Sequence, residues 1–316
     1  MQSDPWNLAR NSTNLTVDSS IELVKEVKEL QMLMEPIAIK DLPIRKIEKE
    51  YLLLNKLTLR DTNMKRLENS KRHQSLNRYA DVLPYIDNIV KLNDNAEISP
   101  ENYINANIIH NPYLEGDLCN FIATQGPLSR TMDQFWKMVE LYQVPVIVGI
   151  VEKSVMGSKC AQYWPVKDSI ETNDYVITII KSVESGFMDL KNLQLRNKKT
   201  NSVINLEHYH IYNWLDHMHL KNEDFDQFIS LLDKLVKIET TQNHPPTIVH
   251  CSAGIGRTGS FICSYYLYWQ WKMAKKEKKE FRFSIFGLVR HIREQRFGAV
   301  QSLQQYNFLH DIVKHF

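Results

Sequence analysis

The residues His250-Cys251-Ser252-Ala253-Gly254-Ile255-Gly256-Arg257-Thr258-Gly259 hold a thiol, a guanidinium, hydroxyls and three glycines within ten positions, in a chain with only 10 glycines. Such glycine density implies a backbone that takes unusual dihedrals. A loop whose successive N–H groups turn inward is an anion nest. A helix N-terminus directly behind it adds donors and a favourable dipole. Cys251 stands where those N–H groups stabilise a thiolate, which is a strong nucleophile. Six residues on, the planar fork of Arg257 can hold two oxygens of a phosphoryl group at once, which a lysine cannot do. The backbone of Ser252, Ala253, Gly254, Ile255 and Gly256 would cradle the remaining oxygens. Thr258 offers a hydroxyl that can donate to the thiolate and ease its departure. Taken singly these features are weak, since a buried cysteine is ordinarily a small hydrophobe. Their joint spacing between a strand-like and a helix-like segment points to phosphate chemistry. The rival nucleotide cradle, GxxxxGK[ST], does not occur.

The elements that must position this loop are legible as patterns. Val144 to Val151, Tyr175 to Ile180 and Thr247 to His250 are short β-branched runs that read as strands. Helical spacing covers 44–57, 131–142, 223–238, 258–274, 283–295 and 302–315. A further helix follows the capping-box pattern Ser19-x-x-Glu22 and stops at Pro36. Residues 1–20 read as a flexible tail and 21–316 as one domain. Strands mixed with helices give an α/β class. Lys272 to Lys279 holds five lysines and one glutamate and reads as a solvated helix end.

Composition bounds the function. The chain has 316 residues, 43% hydrophobic and 24% charged, with a formal charge of +2, too small to argue for nucleic acid. No apolar run approaches the roughly 20 residues of a bilayer span, and the N-terminus lacks the pattern of a secretory signal. The sequons at Asn11 and Asn14 are therefore read as chance matches. The 4 cysteines, Cys119, Cys160, Cys251 and Cys263, form no CxxC pair, which argues against zinc and for free thiols in a reducing, cytoplasmic compartment.

His250-Cys251-x5-Arg257-Thr258 resembles the signature of the classical protein tyrosine phosphatases. Other segments agree in the family's order: Asn77-Arg78-Tyr79 with Asp81, Tyr103 to Asn107, Phe121 to Pro127, Lys159 to Pro165, and Gln301 to Tyr306. The resemblance covers about residues 40–316. More narrowly, a single domain with an altered acid loop is similar to the tyrosine phosphatases of polydnaviruses, which would place it in a host cytoplasm. The resemblance implies a highly twisted mixed β-sheet flanked by helices, phosphotyrosine proteins as partners, no cofactor and no metal. It implies that Tyr79 stacks on the substrate ring and sets the pocket depth, and that Asp81 accepts substrate backbone N–H groups. Gln301, with Gln305 nearby, would position the hydrolytic water. The family's general acid is the aspartate of a Trp-Pro-Asp loop. Here Trp214-Leu215-Asp216 matches, so Asp216 is the expected acid, with leucine in place of proline. His217 is expected to face solvent. Glu152 and Lys159 would belong to a flanking loop that is longer than the family pattern, and His250 would hydrogen-bond locally.

Three functions stand against one another at this level. An active phosphatase uses Cys251, Arg257, Asp216 and Gln301 together. A phosphotyrosine-binding pseudophosphatase would follow if the altered loop failed to close. An inositide phosphatase would favour lysines inside the nest, and Ser252 to Gly256 supply none.

Overall fold

The computed structural model describes residues 17–44, 46–59, 66–67, 73–93, 98–113, 119–214, 222–239 and 245–316. The expectations at Asn11, Asn14, Leu215, Asp216 and His217 lie outside the described residues. Helix α1 runs Val17–Met34, so it begins ahead of the Ser19 cap and includes residues 17–20 of the expected tail. The short strand β1 is Ile37–Ala38 and helix α2 is Ile47–Thr58.

Among the described residues, eight strands form one sheet: β2 (Ala106–His110), β3 (Cys119–Thr124), β4 (Val146–Ile150), β5 (Ser169–Glu171), β6 (Tyr175–Glu184), β7 (Met188–Asn197), β8 (Val203–Ile211) and β9 (Thr247–His250). Their spatial order is β2-β3-β9-β4-β8-β7-β6-β5. The four central strands β3, β9, β4 and β8 are parallel, and the flanking pairs are antiparallel. The mixed α/β architecture implied by the resemblance is therefore the one observed. The sequence patterns revealed only three of these strands. Strands β7 and β8 carry lysines, asparagines and glutamates between their apolar residues.

The core forms because alternate strand residues face opposite ways. On one face Ile122, Ile248 and Ile147 lie side by side in register and pack with Phe135, Trp136 and Val139 of helix α3 (Met132–Leu141). On the other face Ala123, Val249 and Val148 pack with α4 (Asn222–Glu239) and α5 (Gly256–Glu277) through Phe228, Leu232, Phe261 and Tyr265. Residues 256–268 of α5 are all buried, so this half of the helix is core on every side. Its last turn is solvated and basic, as the helix dipole favours, and it stops where Lys278 turns left-handed at φ 55°. Strand β10 (Arg282–Phe283) pairs with β1, and helices α6 (Ile285–Arg293) and α7 (Leu303–Ile312) complete the layer beside α5. No helix of the described residues is long and apolar enough to cross a membrane.

Buried strand β9 ends at His250, and the chain must turn at once into α5. The loop between them therefore sits at the carboxyl ends of the parallel strands, where α/β sheets place ligands.

Candidate active site

Residues 251–255 turn with every carbonyl taken from outside the loop. His250 Nδ1 lies 3.0 Å from the Cys251 carbonyl, and the Gly126 N–H donates to that of Ser252 at 2.9 Å. Arg296 donates to the Ala253 carbonyl at 3.2 Å and to the Gly254 carbonyl at 3.1 Å. The N–H groups of Gly259 and Val300 meet the Ile255 carbonyl at 3.0 and 3.1 Å. A trans peptide sets its N–H opposite its carbonyl. The N–H groups of residues 252–256 are thus left on the inner side, and that of Gly254 reaches Cys251 Sγ at 3.2 Å. Gly254 lies at φ +73°, and a Cβ there would come within 2.1 Å of the Thr124 carbonyl oxygen. Close approach also requires Gly126, where a Cβ would stand 2.6 Å from the Cys251 carbonyl oxygen.

A pocket of about 220 Å³ opens over this nest. Cys251, Ser252, Ala253, Gly256 and Arg257 form its floor, with Tyr79, Asp81, Lys159 and Gln301 among the other lining residues. Tyr79 runs from the surface to the nest, where its hydroxyl lies 2.9 Å from Ser252 Oγ. Ser252 Oγ donates to the Lys159 carbonyl at 2.9 Å, which joins the flanking loop to the floor. Arg78 holds the Tyr79 segment by donating to the carbonyls of Gly126, Pro127 and Ser158 at 3.1, 2.8 and 2.6 Å. Asn105 and Tyr103 hold the same segment through Asn77 at 2.8 and 2.7 Å.

Arg257 is buried, and one of its nitrogens donates to the Trp214 carbonyl at 3.0 Å and approaches Glu152 Oε1 at 3.4 Å. Glu152 therefore reaches the site through Arg257. Trp214 is itself buried, its ring packed against Phe228 and Phe308. Thr258 is fully buried, and its hydroxyl makes no hydrogen bond among the described residues. The bond expected from Thr258 to Sγ is not formed; Gly254 N–H, three residues after Cys251 in the tight turn, makes it instead. Gln305 lies behind the pocket rather than in its lining. Its Oε1 accepts from the N–H groups of Gln301 and Ser302 in a capping box, and a Cβ at Gly256 would stand 2.7 Å from its amide nitrogen.

Behind Cys251 is a chain of buried polar groups. The Cys251 carbonyl can only accept, so His250 Nδ1 carries the proton and Nε2 accepts from the Tyr163 hydroxyl at 2.6 Å. Tyr163 in turn accepts from His208 Nε2 at 2.8 Å. Gly149 leaves room for this imidazole, because a Cβ there would stand 2.9 Å from His250 Nε2. Burial lowers the pKa of His250 to about 4, and burial likewise lowers those of His208 and His210. Burial pushes the Cys160 thiol up to about 12.

The sequence analysis missed Arg296, which is buried and whose pKa burial lowers to about 10. No spacing marks it, because its targets are backbone carbonyls 42 and 43 residues away. Tyr163 fell within the Lys159 to Pro165 segment without a role assigned to it, and Gly149 within a strand-like run.

Comparison with known proteins agrees with this geometry. The family model described as "Protein-tyrosine phosphatase" matches residues 73–315. The chain is 35% identical over 242 residues to human (Homo sapiens) tyrosine-protein phosphatase non-receptor type 12, covering 75% of this chain and 29% of that protein. It is 32% identical over 246 residues to the non-receptor type 20 enzyme of Rattus norvegicus, covering 77% and 54%. Tyrosine-protein phosphatase 99A of Drosophila melanogaster is 36% identical over 251 residues, covering 75% and 18%. The chain thus spans only about a fifth to a half of these relatives' own lengths.

His208, His210 and His250 give the fold a pH dependence of definite sign. Their folded pKa values lie below the ordinary value, so the unfolded chain binds more protons in acid. Their contribution is fully present above about pH 6.5 and is lost as the pH falls below it; for His250 the loss runs down to about pH 4 and amounts to on the order of 3 kcal/mol. Urea midpoints should drop between pH 7 and pH 5; equal midpoints would contradict the assignment. Arg296→Lys should weaken binding of inorganic phosphate about 10- to 100-fold, since a lysine cannot serve both nest carbonyls as the guanidinium does. Titration calorimetry showing wild-type affinity would remove Arg296 from that role.

Proposed function

The chain belongs to the protein-tyrosine phosphatase family, and from that premise we propose that it hydrolyses phosphotyrosine in proteins through a phosphocysteine on Cys251. The observation that carries this reading is the nest itself. Five carbonyls are turned out and the Cys251 sulfur is turned in, beside a buried arginine and under a wall one tyrosine deep.

In the first step Cys251 sulfur attacks phosphorus and the P–O bond to the phenol breaks. Charge spreads over the equatorial oxygens, where inward N–H groups and Arg257 stabilise it. Asp216 protonates the leaving phenolate. Cys251 is kept as nucleophile by the Gly254 N–H, a donor better matched to a thiolate than to a thiol. The second step is hydrolysis, with water oriented by Gln301 and deprotonated by Asp216. Lysine-free residues 252–256 suit a monoester of single charge centre better than a polyphosphorylated inositol.

Selection for phosphotyrosine follows from length. The Tyr79 side chain spans the depth from surface to Ser252, so a substrate side chain of the same length brings its phosphorus to Cys251. Phosphoserine is shorter by a ring. Asp81, exposed at the pocket edge, is placed to accept N–H groups from a substrate backbone. Cys160, Cys251 and Cys263 are free thiols, which supports action in the reducing cytoplasm.

The deciding experiment is turnover of a phosphotyrosine peptide in chelator by the wild type and by Cys251→Ser. The serine form should bind the peptide and not turn it over, because a serine hydroxyl is too weakly acidic to ionise in the nest. Turnover within tenfold of wild type would refute the cysteine mechanism. Asp216→Asn should lower kcat by roughly 10²–10⁴ with little change in KM, the cost of losing a general acid. An unchanged kcat and pH profile would assign the proton to another residue.

A further inference from the structure

Helix α2 precedes the residues matched by the family model, yet it bears on the loop that carries Gln301. The Tyr51 hydroxyl donates to the Gln301 carbonyl. Arg293 donates to the carbonyls of Ala299 and Val300 at 2.7 and 2.8 Å, and to Asn55 and Thr58 of α2 at 2.9 and 3.2 Å. The guanidinium carbon of Arg293 lies 5.4 Å from the Tyr51 ring centroid, and the Tyr306 ring lies 5.9 Å away on α7. Tyr306 itself donates to buried Glu50 of α2 at 2.7 Å. Three successive carbonyls, at 299, 300 and 301, are therefore held in place, the last of them by α2.

The turn they hold is a strained one. Val300 sits at φ +56°, a conformation that a β-branched side chain strongly disfavours. Such a residue persists only where its surroundings over-determine it. The next residue is Gln301, whose side chain lines the pocket and stands near Gly256.

We propose that Tyr51 is a positioning residue for the hydrolytic half of the reaction. Its hydroxyl locks the Val300–Gln301 turn so that the Gln301 amide is aimed at the water that attacks the phosphocysteine. The inference rests on the phosphatase reading above. In that step the water oxygen bonds to phosphorus, the P–S bond breaks, and its electron pair returns to Cys251 as the thiolate. The water proton passes to the Asp216 carboxylate, and inorganic phosphate is left. The first half-reaction does not use Gln301, so Tyr51 should leave it untouched.

Tyr51→Phe removes the O–H and keeps the ring. Rapid-quench kinetics with a peptide carrying a radiolabelled phosphoryl group measures formation and decay of the phosphoenzyme separately. Formation should be unchanged, and decay should slow roughly 3- to 10-fold, as for one lost hydrogen bond. In a Gln301→Ala background the same substitution should have no further effect on decay, since Tyr51 acts through Gln301. A decay rate equal to wild type overturns the inference, as does an equal fall in formation and decay, or full additivity with Gln301→Ala. No phosphoenzyme and no turnover from the wild type would instead overturn the phosphatase reading, and this inference with it.

Discussion

Everything in the site depends on five backbone carbonyls being drawn outward from residues 251–255. An isolated loop would not keep its N–H groups pointed at one empty volume, because the partial positive charges repel and each carbonyl seeks a donor. Here the donors come from elsewhere in the fold: an imidazole, a glycine N–H, a buried guanidinium and two further backbone N–H groups. Anion binding then requires no reorganisation at the moment of reaction, which is where electrostatic preorganisation has its effect. The close packing also explains the glycines at 126 and 254, where a single methyl group would collide with a carbonyl oxygen.

The supporting shell is polar and buried, and so it is demanding. An unpaired polar group inside a protein costs far more than a paired one contributes. The His208–Tyr163–His250 chain pairs its members in one tautomeric arrangement, ending at the Cys251 carbonyl, and leaves only His208 Nδ1 without a hydrogen bond among the described residues. Neutral imidazoles suit this arrangement, because a charged one would place a proton where the Tyr163 hydroxyl must donate. The fixed position of Cys251 and the sensitivity of the fold to acid share this origin.

Rigidity is unevenly distributed around the pocket. The floor is continuous with β9 and α5, the wall is tied down through Arg78 and Asn105, and the Gln301 turn is fastened by Arg293 and Tyr51. Trp214 shares that rigidity, since its carbonyl accepts from Arg257 and its ring lies in the core. Arg257 thereby contacts both the Trp214 carbonyl and Glu152, so one buried side chain ties two segments to the nest.

The loop that brings Cys251 and Arg257 together was legible in the sequence, because strand, glycine-rich turn and helix are contiguous and their geometry is set by local dihedrals. The major helices were legible for the same reason, through periodic burial. Strands β7 and β8 were obscured by their polar residues, since a strand with one face near solvent alternates and carries no continuous apolar run. The capping box at Ser302 and Gln305 explains why Gln305, expected beside Gln301 at the hydrolytic water, lies behind the pocket. Contact between Glu152 and Arg257, the clamp of Arg296 on the nest, and the hold of Tyr51 on Gln301 were decided only by the tertiary structure. Each joins residues dozens to hundreds of positions apart, and the arginine and tyrosine clamps act on backbone carbonyls. Every residue type supplies the same carbonyl, so the sequence leaves no mark of which one is held.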